Sequence, residues 1–123
     1  MSNLIPFPHR FHAPGYLALR ARAEFGDEVA LDPRRLAAHL GLDVQILEGD
    51  ARELLGGADV AIWAGTVAVD ARSTDHEAAI ARGVGAALAA RWGWPPVNAA
   101  TWAAARAYAH AVERARRGPR CTS

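Results

Sequence analysis

The chain has 123 residues, 51% hydrophobic and 22% charged, which suits one folded domain with its own core and excludes a disordered chain. Its net charge of +1 is unremarkable, and a single cysteine, Cys121, excludes an intramolecular disulfide. All fourteen cationic side chains are arginine, a bias that GC-rich coding produces without functional demand.

Residues 1–13, "MSNLIPFPHRFHA", scatter Leu4, Ile5, Phe7 and Phe11 among prolines and read as an extended arm without the apolar h-region of a signal peptide. No run reaches the roughly 18 apolar residues of a membrane span, so the expectation is a cytoplasmic protein with no membrane partner. The folded domain is expected over residues 14–117. Pro14 suits a first helical turn, and Leu17, Ala21 and Phe25 recur at helical spacing until Gly26. In "LDPRRLAAHLGL" Asp32 is a good N-cap, Pro33 fits the first helical position, Leu36 and Leu40 share a face, and Gly41 suits the position after the helix. "LDVQIL" alternates as a half-buried strand does, and "DARELLGG" predicts one helical turn closed by glycine. "VAIW" and "TVAV", separated by Ala64 and Gly65, predict a tight hairpin.

The pattern turns helical again after Asp70, breaks at "GWPP" near residue 93, and resumes from Asn98, a plausible N-cap, to Arg117, where Gly118 and Pro119 end it. Residues 118–123 form a basic tail. This order predicts an α+β domain, with helices packed on a small, mainly antiparallel sheet. "TDHE" reads as a capping box, with Thr74 at the N-cap and Glu77 reaching back to it. In the helix that follows, Ile80, Val84, Ala87 and Leu88 form one stripe, and Ala79, Gly83, Ala86 and Ala90 another of very small side chains. Both are expected to be buried, with close backbone packing offsetting the roughly 1 kcal/mol that each of Gly83 and Gly85 costs in a helix. Arg82, among the small residues, lines a cleft or snorkels to water.

His76 and Glu77 open like the H-E-x-x-H helix of zinc peptidases, but Ile80 stands where the second histidine belongs. One histidine is not a zinc site, which needs three protein ligands. No metal or other cofactor is therefore expected, with zinc on His76 and His110 as the runner-up. "RRLAAHLGLDVQIL" also has the look of half a helix-turn-helix, with Arg34 and Arg35 placed for phosphates, but a strand pattern replaces the recognition helix. The arginines of the tail suit nucleic acid or, more simply, a helix end. Trp63, Trp92, Trp94 and Trp102 suit an aromatic pocket or ordinary packing. His9 and His12 sit in the arm.

"LDPRRLAAHLGLDVQI" near the start, "GTVAVD" as the last strand and an alanine-rich helix after it resemble the ImmA/IrrE family of zinc metallopeptidases. The family pattern "RF-LAHELGH" lies over "AIARGVGAALAAR", which puts the zinc motif on Arg82, Gly83, Val84, Gly85 and Ala86, without histidine or glutamate. The acidic third ligand of the family is absent too, because no Asp or Glu occurs between Glu77 and Glu113. The resemblance covers most of residues 14–112 and implies a zincin-like arrangement. It also implies a pseudoenzyme that binds a protein partner, a helix-turn-helix repressor or regulator of a mobile element or stress regulon. Arg82, Gly83 and Ala86, with Val67 and Val69 of the "TVAV" strand, are the candidate partner-binding residues, the strand acting through its edge. The alternatives are a residual zinc metallopeptidase using His76 and Glu77, and a small nucleic-acid-binding protein.

Overall fold

A computed structural model of the chain describes residues 15–95 and 99–118. Among these residues it has six helices and three strands, in the order α1 (Tyr16–Phe25), α2 (Asp27–Ala30), α3 (Pro33–His39), β1 (Asp43–Leu47), α4 (Ala51–Leu54), β2 (Val60–Trp63), β3 (Thr66–Asp70), α5 (His76–Arg91) and α6 (Ala99–Arg117). The α+β expectation holds in outline, and the short α2 is an addition that its four residues gave no periodicity to reveal. Pro14, the proposed N-cap Asn98, His9, His12 and Cys121 lie outside the described residues.

The sheet is mixed, not mainly antiparallel. β3 is its centre, with β1 parallel on one side and β2 antiparallel on the other. The cause can be seen in β3 itself: Val67, Ala68 and Val69 are all buried, so both faces of this strand are covered, as a central strand requires. The half-exposed β1 and β2 take the edges. Ala64 and Gly65 both have positive φ, 53° and 74°, which is the two-residue turn whose twist matches the paired strands.

α5 is sandwiched. Its residues from Ala79 to Ala89 are buried around almost the whole circumference, as expected for a helix without a polar face. Gly83 meets the sheet: a Cβ there would overlap Val67 Cγ1 and lie 2.9 Å from Val60 Cγ2. Gly85 meets α6, where a Cβ would lie 3.2 Å from the Cα of Ala105 and 3.0 Å from the Tyr108 ring. The close backbone packing expected of both glycines is found at Gly85, against Ala105, whereas the close neighbours of Gly83 are valine side chains. On the far side, the Tyr108 hydroxyl of α6 donates to the Ala30 carbonyl at 2.7 Å. Burial in that apolar setting pushes its pKa well up.

The start of α5 differs from the expected capping box. Asp75, not Thr74, is the N-cap, with extended backbone and a carboxylate that accepts from the Ala78 N–H at 3.0 Å. Glu77 does not reach back to the cap; it receives both Nε and Nη2 of Arg34, at 3.3 and 2.9 Å, and ties α5 to α3. Aspartate caps better than threonine, and the shift by one residue leaves Glu77 available for that pair. α3 begins as expected, with Asp32 accepting from the Arg35 N–H.

Candidate functional site

The five candidate binding residues do not form one surface. Val67, Val69, Gly83 and Ala86 are buried between the sheet and α5, which leaves them no side-chain surface to offer a partner. The expected edge of β3 does not exist either, because β1 and β2 occupy both its sides. This corrects the placement of the docking strand: a strand buried on both faces is central, and its backbone groups are already paired. Among the described residues, the edge without a strand partner on the hairpin side belongs to β2.

Arg82 alone of the five reaches solvent, and only partly, its side chain being 26% exposed. It neither snorkels nor stands free. Its two terminal nitrogens donate to the two carboxylate oxygens of Asp59, at 3.0 and 2.9 Å, in the bidentate geometry that guanidinium and carboxylate favour. Asp59 also accepts from the Ser73 hydroxyl at 3.2 Å. The hydrogen bonds from Arg82, more than its charge, hold the Asp59 pKa below the usual carboxylate range against the opposing effect of burial. Arg82 is raised in turn by the same partner.

This ion pair lines a groove of about 670 Å³ beside β2. Val60, Ala61 and Ile62 line it, with Leu55 and Ala58 of the preceding turn and Trp102 and Arg106 of α6. No β3 residue lines it, so it lies outside the open edge of β2. The hydrogen-bond phase of the hairpin determines which backbone groups face the groove. The Asp70 N–H donates to the Asp59 carbonyl, so Asp59 and Asp70 are a bonded pair, as are Ala61 and Ala68 two residues on. Val60 and Ile62, in the alternate pairs, therefore turn their N–H and C=O groups outward.

A buried carboxylate braces the same end of the sheet. Asp70, 1% exposed, accepts from the Arg72 N–H at 3.0 Å and from Arg52 Nε at 2.8 Å. The Arg72 backbone bond first and Arg52 second hold its pKa down. Arg52 lies in α4, so this contact pins the turn before β2 to the end of β3.

The other sequence candidates are dispersed. The His76 Nε2 lies 2.7 Å from the Ala71 carbonyl, a hydrogen bond at the helix entrance. His110 lies with Glu77 and Glu113 in a cleft of about 410 Å³ between the start of α5 and the end of α6, which shares Arg82 and Arg106 with the β2 groove. Among the described residues no three His, Cys, Asp or Glu side chains come together as a metal-binding group. Arg34 is paired with Glu77 and Arg35 lies 3.9 Å from Glu28, so the half helix-turn-helix has its arginines engaged within the fold. Trp63 is exposed at the hairpin end, Trp92 lies under Arg20, and Trp94 stacks on Tyr16.

Asp59 was not among the sequence candidates. A signal existed in "GADVAIW", an acid one position before a strand, but only tertiary structure brings it to Arg82. Among the described residues no helix is long and apolar enough to cross a membrane. No protein-family model, curated protein or solved structure matches the chain.

Proposed function

We propose that this chain is a non-catalytic, metallopeptidase-like domain that binds a protein partner by accepting an extended segment along β2. One observation supports this above others: the outward N–H and C=O groups of Val60 and Ile62 border a groove of about 670 Å³. Strand addition draws its affinity from such backbone groups and its specificity from side-chain pockets beside them. It needs no catalytic residue.

The ImmA/IrrE-like reading fits the order of a short helix, a strand, a hairpin and a buried helix followed by another. In that register the five zinc-motif positions are occupied by packing residues and by Arg82, which is committed to Asp59. The resemblance then makes a helix-turn-helix regulator the partner class to look for.

Ile62→Pro tests this reading. The substitution removes an outward N–H, which an edge strand tolerates structurally. Purified wild type and variant, both folded by circular dichroism, are used as bait in the native host extract and then with each recovered protein in isolation. A direct complex formed by the wild type and lost in the variant is the expected result; equal binding by both overturns it. The melting temperature should also be indifferent to chelator and to added zinc. Stoichiometric zinc retained through chelation and lost in His76→Ala would return the chain to the residual peptidase reading.

A further inference from the structure

The charges lining the β2 groove do not balance. Arg82 and Arg106 both line it, and Asp59 is its one acidic side chain. That carboxylate is spent on Arg82 through two hydrogen bonds. Arg106 is exposed and makes no ion pair or side-chain hydrogen bond among the described residues. The groove thus presents apolar surface from Leu55, Ile62 and Trp102 beside a guanidinium that no acid of the groove pairs, Arg106, which stands where the groove adjoins the cleft of Asp75, Glu77 and Glu113.

Spacing adds a second constraint. Trp102 and Arg106 are four residues apart on α6, about 6 Å along the helix at 1.5 Å per residue. Alternate residues of a strand, which point to the same face, are separated by about 6.8 Å. A strand laid beside β2 turns every second side chain to one face, at a spacing close to that of Trp102 and Arg106, the two α6 residues that line the groove.

We infer that the groove takes an extended protein segment carrying an apolar and an acidic residue two positions apart, the acid paired with Arg106 and the apolar side chain against Trp102. This rests on the strand-addition reading above and names the chemistry of its partner. The acidic side chain supplies the missing charge, and Arg106 offers it a fork of donors. The order of the two residues follows from whether the segment adds parallel or antiparallel to β2.

A display library of random 12-residue peptides, panned against the wild type, Arg106→Glu and Ile62→Pro, tests it. The wild type should enrich apolar and acidic residues two apart. A selected peptide should bind Arg106→Glu on the order of fivefold or more weakly, which is about 1 kcal/mol, and Arg106→Lys should restore part of the loss. Methylating alternate backbone nitrogens of that peptide should abolish binding in one phase and spare it in the other, a check that leaves the protein unaltered. Peptides that need the β2 edge but carry no acid, and bind Arg106→Glu as well as wild type, overturn this inference while leaving strand addition intact. Failure to select any peptide, or binding indifferent to both Ile62→Pro and backbone methylation, overturns strand addition and this inference with it. A dimer of the chain that Ile62→Pro converts to monomer gives the edge to a second copy and overturns the inference as well.

Discussion

Asp75 and Thr74 are adjacent, and either satisfies the sequence preference for an N-cap, but only the Asp75 carboxylate accepts from a backbone N–H of α5. Asp75→Ala should cost about 1 kcal/mol in urea unfolding, the usual value of a lost cap, whereas Thr74→Ala should change stability little. Equal losses would restore the capping box. Gly83 is determined by contact more than by conformation, because its φ is ordinary and the space for a Cβ is already filled by Val67 and Val60. Gly83→Leu should therefore destabilise by roughly 1 to 3 kcal/mol through overpacking, readable in the same unfolding experiment. The small side chains of this helix were apparent from composition alone. Which of them faces the sheet and which faces α6 was not, because a helix apolar all round has no periodicity to orient it.

The hairpin was equally plain as "VAIW-AG-TVAV", and its turn contains a weakness that stability measurements can expose. Ala64 adopts left-handed φ, 53°, a conformation that costs a side-chain-bearing residue about 1 kcal/mol and that asparagine tolerates better. Ala64→Asn should raise stability by several tenths of a kcal/mol, up to about 1, without affecting the groove. A loss of stability would mean that the turn is not of this type. Strand order was harder to read. "TVAVD" shows a continuous apolar run that marks a strand covered on both faces, but the sequence-level emphasis on the hairpin made β3 look like an edge. The parallel pairing of β1 with β3 joins residues more than twenty apart, such as Val44 and Val67, and nothing local encodes it. The candidate edge is therefore β2 and not β3, and the candidate surface is Val60 and Ile62 and not Val67 and Val69.

Across the molecule, two carboxylates are held in the charged form: Asp59 by Arg82 and Asp70 by Arg72 and Arg52. Each has a folded pKa below its unfolded value, so the unfolded chain binds more protons in acid and stability rises with pH across that window. The contribution is complete above the ordinary aspartate pKa of about 3.9 and is lost as pH falls through the lower folded values. Acid unfolding should set in below about pH 4, and Asp59→Asn should flatten the pH dependence of stability there. A variant as acid-sensitive as the wild type would remove Asp59 from this role. Neither pairing was visible in the sequence, since Asp59 and Arg82 are separated by 23 residues and meet only when α5 lies across the hairpin.

The most direct test of the strand-addition claim is amide hydrogen exchange at β2, measured with and without a saturating peptide selected against the wild type. The Val60 and Ile62 amides face the groove, whereas Ala61 and Trp63 are paired with β3. Exchange at Ile62 should slow on the order of tenfold or more on binding, with a smaller change at Ala61. Unchanged exchange along β2, with protection appearing instead around Arg114, Arg116 and Arg117 at the end of α6, would contradict it.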